Sequence, residues 1–456
     1  MRSGTAVGAV AVCAALVCAA AARSDSPLGA CTPELRELVE GTHPVRVLLA
    51  AGVERVKVTS SGPLSGPGVT PPDAVPPGCQ SVTMDLSGAA AAPLRLAADG
   101  RTPVPLCDDR VRIAPTDDRT VNVRAAGSGG RVVVNGSYRG SVEVAAGVRG
   151  LTVVSLVPVD EYLPSVLGAE IGEDSPRAAL EAQAVAARSY VLYHALRAAE
   201  EPYDLAATTA GQVYRGTSSE SDATVRAAEE TRGELLTAGG AVVDAVYHAV
   251  SGGVTADPRS VWGAPIAGLA AVYDGVGSGR DLSTDEEVRR FLLSPPQGVL
   301  GSSHPFFRWR TRLSADALTR TLAESLPRLR PEGGAKIGRL QDIRIDARAV
   351  SGHVTQVTFV GTVGAATLRG DAIRWAFGDG RAGRDGLRST LFAVDKAGSR
   401  APYSAYEFVG GGWGHGTGMS QAGAIELAQQ GFDHRAILQH YYRLAELTNF
   451  VGPEPP

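Results

Sequence analysis

A carboxylate on an apolar helical stripe is the first group in this chain that could do chemistry. In VPVDEYLPSVLGAEIGEDSPRAALEAQAVAARSYVLYHAL, Leu163, Val166, Leu167 and Glu170 fall at i, i+3, i+4 and i+7, which puts Glu170 on one face with three aliphatic side chains. Removing such a group from water raises its pKa, and a carboxyl that stays protonated near neutrality is the general acid that glycoside cleavage needs. The rival reading is a helix-end Glu that reaches solvent or pairs with Arg188. Direct pairing would lower the pKa, so Arg188 is expected to position substrate or orient a neighbouring group.

The second marked stretch is GGGWGHGTGMSQAGA, Gly410 to Ala424. It is no phosphate cradle, because no G-x-G-x-x-G lies in register and no G-K-[ST] follows. GMSQA approximates a nucleophile elbow at Ser420, but the expected strand, Tyr406 to Val409, ends about ten residues earlier and no acidic partner is marked. Metal binding would rest on His415, His248 and His434, which lack H-x-x-x-H spacing. What remains is a wall of a carbohydrate cleft. Glycines let backbone approach a ligand, Trp413 offers a flat apolar face to a sugar ring, and His415 and Gln421 offer polar contacts. The plainer alternative is a glycine turn in which Trp413 plugs the core.

These groups need elements to hold them. Pro164 fits only an early helical turn, so the helix carrying Glu170 is expected to start between Asp160 and Leu163, and Gly172 ends it. Asp160 and Glu161 read as an N-cap and a surface charge. A second helix is expected with Ser175 as N-cap, Pro176 at its first position, and Leu180, Ala184, Ala187 and Val191 on its apolar face. Gln183 and Arg188 lie on its other faces, within reach of a cleft. Short alternating runs at 121–159 and 234–250, and a hairpin over 340–361 turning at Ser351-Gly352, read as strands. Strand runs with few helices imply α+β rather than a doubly wound sheet.

The chain has 456 residues with net charge -4, and carries no basic block, which excludes an electrostatic footprint for nucleic acid. Residues 1–22 read as a signal peptide or an N-terminal anchor, with Ala20–Ala22 as the cleavage site, so the protein is expected to be exported to the periplasm or cell envelope. Three cysteines follow that segment, of which Cys79 and Cys107 could form a disulfide. A β-rich region is expected over 40–150 and a second domain over 151–450, with a surface insertion near 274–303.

VPVDEYLPSVLGAEI, ALEAQAVAARSYVL, TTAGQVYRG, AVYHAVSGGVTADPRSVWG and GGGWGHGTGMSQAGAIELAQQGFDHRAILQHYY together resemble, in order, the motifs of the SpoIID/LytB family, the stage II sporulation protein D and amidase-enhancer group. The resemblance implies short-stranded mixed sheets with a few helices around a glycan-binding cleft. It implies a peptidoglycan lytic transglycosylase with Glu170 as catalytic acid, and substrate contacts from Gln183, Arg188, Gln212, Tyr214, Ser251, Trp413, His415, Ser420 and Gln421. Peptidoglycan glycan strands are the implied partner, together with a cell-wall amidase or other envelope proteins if the chain is a non-catalytic enhancer. No cofactor is implied. Some members hold a metal with His and Cys near the SGG segment. Here that segment offers only His248 and Ser251, so no metal is carried over. Ala422 stands where many members have an aromatic, so a ligand-facing contact is expected to be missing.

Overall fold

The computed structural model describes residues 32–451 apart from 68, 70, 90–91, 118–119, 278 and 379–385. The expectations for residues 1–22 lie outside the described residues. The fold is α+β, with small mixed sheets and ten helices among the described residues.

The N-terminal half is built on period-two alternation. VNVRAA and RVRIAP each bury every second side chain, as strands with one face on a core must. Two six-stranded sheets result. One runs Leu205–Ala206, Val45–Val53, Gly150–Val157, Ser141–Gly147, Arg110–Pro115, Leu64–Ser65; the other runs Val104–Leu106, Ala92–Ala98, Ser81–Ala89, Arg55–Thr59, Val121–Ala126, Val132–Tyr138. Their inner faces share one core in which Val47, Val56, Val123, Val142 and Val153 are fully or almost fully buried. Helix α1, Pro33–Glu40, adds Leu35, Leu38 and Val39 to it. Cys79 and Cys107 are not bonded, contrary to the disulfide the sequence allowed. Cys79 is buried with its Sγ donating to the Ser81 carbonyl at 3.3 Å, while Cys107 is exposed.

Strand Gly150–Val157 runs straight into α2, Val159–Glu170, through Pro158. The helix therefore starts at Val159, just before the expected range, and Asp160 is not its N-cap; Pro158 takes that place without a side-chain bond. Leu163, Val166 and Leu167 are fully buried as their spacing predicts, each removal from water contributing about 1.5–3 kcal/mol. The helix ends on Glu170, with the Ile171 and Gly172 amides both donating to the Leu167 carbonyl and Gly172 left-handed at φ 91°.

Helix α3, Arg177–Ala195, follows with Pro176 as its cap residue. Ser175 is not the cap, because its hydroxyl donates back to the Ile171 carbonyl at 2.8 Å and closes the end of α2 instead. Helix α4, Asp222–Glu230, packs across both through Ala227 against Leu167, Leu180 and Ala184.

The rest of the chain after α5, Pro258–Trp262, has a second core. Helix α6, Asp285–Leu293, buries Val288, Phe291 and Leu292 against Leu282, Leu391 and Ala393, so this stretch is packed rather than loose. Strands Arg308–Ser314, Ala405–Gly411 and Phe392–Ala397 form one sheet, and Leu340–Arg348, Val354–Gly361 and Ala365–Arg369 another. Helices α7, Ala315–Leu329, and α8, Ala372–Trp375, close over them, with Leu322, Phe359, Phe392 and Phe408 fully buried. The chain then returns through the glycine stretch to α9, Gln421–Gln429, and α10, His434–Tyr441, which pack on α3.

Candidate functional site

Glu170 sits at the C-terminal end of α2, half-buried. Its Oε1 accepts the Val213 amide at 2.6 Å, and the Gln421 side chain bonds to the same carboxyl. Burial is the largest influence and raises the pKa above the ordinary glutamate value, ahead of the opposing Val213 and Gln421 bonds and the nearby Arg215 charge. The last carbonyls of α2 act in the same direction, since the negative end of a helix disfavours an added anion.

A cavity of about 530 Å³ lies beside the end of α2, lined by Gly168, Ile171, Glu173, Asp174, Arg215, Ile425 and Gln429 among others. Gln421, Ile425 and Gln429 follow one another at i, i+4 and i+8, so one stripe of α9 runs from Glu170 along the cavity. The volume falls within the about 300–1,000 Å³ usual for small-ligand sites.

On the far side of Gln421 is the glycine stretch. Its glycines are needed where the chain squeezes past the segment 246–251. Gly412 has φ 86°, and a Cβ there would lie 2.7 Å from the Ser251 carbonyl; Gly418 has φ 72° and backs directly onto the Val246 carbonyl. Met419–Ser420 then pairs in parallel with Tyr247–His248, and the Ser420 side chain caps α9 by accepting the Gly423 amide.

Trp413 is 43% exposed and stands edge-on to Phe306, with ring centroids 4.8 Å apart. It does not plug the core. His415 is half-buried, 5.1 Å from the Trp262 ring and 5.6 Å from His248, with its Nδ1 accepting the Thr417 amide. Burial, then the Arg374 charge, pushes its pKa down to about 3, so the imidazole is neutral. Tyr247 links this loop to the acid: its carbonyl faces His415, and its phenol accepts from Gln212, next to the Val213 amide that holds Glu170.

The structure brings Glu170, Gln183 and Gln421 together. Gln421 Nε2 lies 3.4 Å from Gln183 Oε1, and Gln183 Nε2 is buried with no hydrogen-bond partner. Other expected contacts are not at the groove. Arg188 is fully buried: Nε and Nη2 reach Asp160 Oδ1 at 3.2 and 3.1 Å, and further bonds run to the Thr231 and Ala228 carbonyls at 2.8 and 2.9 Å. Every direction of its guanidinium is taken, so it ties α2, α3 and α4 together instead of meeting substrate. Asp160 is accordingly an ion-pair partner, to Arg188 and to Arg232 at 3.3 Å.

Tyr214 is buried between Tyr138 and Tyr162. Gln212 is fully buried between the Tyr162 and Tyr247 phenols and the Ala187 carbonyl. Ser251 donates to the buried Asp274 at 2.5 Å, and Ser420, fully buried, accepts the Ser251 amide at 3.2 Å. Both hydroxyls are structural, which removes Ser420 as a nucleophile. The SGG position does not suit a metal, because Ser251 is engaged and, among the described residues, no group of three or more His, Cys, Asp or Glu could hold one.

Sequence reasoning missed Arg215, Asp274, Trp262, Phe306 and Arg388. Arg215 carried a signal. In an extended run side chains alternate, so the attractive pair Gln212 and Tyr214 share one face, the buried one, and Arg215 takes the other. Ala422 packs toward Val250, Val299 and Phe307 beside Phe306, so the aromatic beside it comes from the segment after α6.

Fold and site together define an α+β protein with a buried helix-end carboxyl that Gln421 joins to the glycine-rich stretch, and a cavity beside the end of the same helix. Residues 148–237 match the family described as Stage II sporulation protein, and residues 261–418 match a domain of unknown function. The chain is 26% identical over 320 residues to an uncharacterised protein of Brachyspira hyodysenteriae, covering 69% of this chain and 73% of that one. It is 27% identical over 288 residues to the amidase enhancer of Bacillus subtilis, covering 60% of this chain and 38% of the relative. To stage II sporulation protein D of the same organism it is 25% identical over 315 residues, covering 65% and 76%. These matches support the SpoIID/LytB family and a cell-wall-related role.

Proposed function

We propose that this protein is an exported peptidoglycan lytic transglycosylase that cleaves the β-1,4 bond between N-acetylmuramic acid and N-acetylglucosamine. One observation carries the reading: the Glu170 carboxyl is held toward its protonated form by burial, and the Gln421 that bonds to it begins a helical stripe whose Ile425 and Gln429 line a cavity of about 530 Å³. Glu170 gives its proton to the glycosidic oxygen as the bond from C1 to that oxygen breaks. The muramic C6 hydroxyl then attacks C1 and returns its proton to the Glu170 carboxylate, leaving a 1,6-anhydro ring. One acid–base group serves both steps, whereas a hydrolase adds a second carboxylate. Asp160 cannot serve as that second group, being paired with Arg188 and Arg232. Val213 and Gln421 orient the carboxyl, and Trp413 and His415 contact the strand further along.

The likeness to the amidase enhancer favours a second reading, a non-catalytic peptidoglycan binder that stimulates a cell-wall amidase. Mass spectrometry of products from purified sacculi separates the two. Anhydro-muropeptides formed by the wild type and lost in Glu170→Gln support the enzyme. Release at an equal rate by Glu170→Gln would overturn it, and binding without any product would leave the enhancer.

A further inference from the structure

The cavity beside the end of α2 carries charges that the proposed reaction leaves idle. Glu173 and Asp174 line it from the turn between α2 and α3, and Arg215 lines it from the segment that follows Val213. Ile171 and Ile425, both half-buried, add apolar lining. Both charged walls are held in place. The Ser175 hydroxyl donates to the Ile171 carbonyl at 2.8 Å and closes the acidic turn. The Arg215 amide donates to Ser165 Oγ at 3.2 Å, and its carbonyl accepts the Ser218 hydroxyl at 3.1 Å.

Neighbouring charges close on one another: Arg139 holds Glu220 at 2.6 Å, and Arg177 holds Glu181 at 2.6 Å. Glu173, Asp174 and Arg215 do not. All three are exposed, and among the described residues none of them has an ion pair. Opposite charges that line one cavity without meeting leave both poles open. The ligand that suits them carries an anion and a cation of its own, with an apolar body for the two isoleucines.

We propose that this cavity binds a small zwitterion, a free α-amino acid with an apolar side chain, its carboxylate on Arg215 and its ammonium on Glu173 and Asp174. The site does not depend on the transglycosylase reading, but it bears on Glu170. The Arg215 charge favours the ionised form of that carboxyl, so a carboxylate bound to Arg215 offsets the charge and favours the protonated acid. Linked binding is reciprocal, so the zwitterion binds more tightly when Glu170 is protonated. The Tyr162, Tyr190 and Tyr247 phenols also face Glu170, and burial keeps all three neutral.

Isothermal titration of the full chain with leucine tests the site without any cleavage assay. Leucine should bind saturably. Leucinamide, which lacks the carboxylate, and isocaproate, which lacks the ammonium, should each bind about tenfold more weakly, as the loss of one charge-assisted pair predicts. Arg215→Gln should weaken leucine by about the same factor and leave leucinamide unchanged. Glu173→Gln combined with Asp174→Asn should weaken leucine and leave isocaproate unchanged. The affinity of the wild type for leucine should fall as pH rises through the Glu170 pKa, and that fall should vanish in Glu170→Gln. No saturable binding, equal binding of the three compounds, or a leucine affinity unmoved by Arg215→Gln overturns the site. A fall that persists in Glu170→Gln overturns the link to the acid. Anhydro products from sacculi report on the transglycosylase reading separately, so either can fail alone.

Discussion

Gln183 and Arg188 lie five positions apart on α3, about 140° around its axis, and the two sides of that helix treat polar groups differently. On the Arg188 side every charge is answered. Arg188 bonds to Asp160 and three carbonyls, one of them that of Glu234. The Glu234 carboxylate takes His434 at 2.8 Å and Arg435, and His434 also faces Glu181 at 3.2 Å. On the Gln183 side there are too few partners: Gln183 Nε2 has none, and Glu170 has a backbone amide and one side-chain amide but no ion pair among the described residues. Saturation marks the structural side, and a shortage of partners marks the side left for a ligand.

The sharpest way to break that contrast is to remove the acid. Glu170→Gln keeps the shape of the side chain and should lower kcat for glycan cleavage by about 10²- to 10⁴-fold, the usual worth of a general acid–base group. Its thermal midpoint should hardly move, because no ion pair is lost. Steady-state product release and a calorimetric scan of the same preparation check both halves.

Arg188→Ala should do the opposite. Removing Arg188 leaves three buried carbonyls without their donor and Asp160 with Arg232 alone, and should cost about 3–5 kcal/mol of stability. Denaturant unfolding reads the cost, and protein that remains folded at low temperature should keep its activity. A loss of activity at unchanged stability would return Arg188 to the groove.

Gln421→Leu sharpens the comparison more gently. Its bond to Glu170 favours the charged carboxylate, so removing it should raise the acid's pKa further. A general acid loses activity as pH rises through its pKa. The alkaline limb of the kcat profile should therefore move to higher pH in the variant, with a change of a few-fold at the optimum. A limb that stays in place would separate Gln421 from the acid.

How much of this was legible depended on periodicity. The spacing of Leu163, Val166, Leu167 and Glu170 placed the acid on the buried stripe of α2, and both the helix and its Gly172 terminus lie where that pattern puts them. The hairpin turning at Ser351-Gly352 and the alternating strands of the first core follow from the same kind of signal. Arg188 was misread because a sequence gives the face of a helix but not what packs on it, and α4 supplies the carbonyls that saturate it. Ser175 was misread because its hydroxyl finds the end of the previous helix before it can cap its own. Trp262, Phe306 and Arg388 meet the glycine wall across large sequence separations, so no local pattern could gather them.

The smallest effect belongs to the saturated side and depends on pH. The Glu234 hydrogen bond, against the opposing effect of burial, holds the His434 pKa above its ordinary 6.5. A histidine whose pKa rises on folding adds stability that is fully present below its unfolded value and disappears as pH climbs through the folded one. His434→Gln should therefore lower stability by about 1 kcal/mol or less, given partial solvent screening, and only on the acid side. Urea unfolding of wild type and variant near pH 5.5 and pH 8.5 should show a gap at the lower pH that closes at the higher. A gap of equal size at both would mean that His434 acts by packing alone, and the charge network around Arg188 would then end at Glu234 and Arg435.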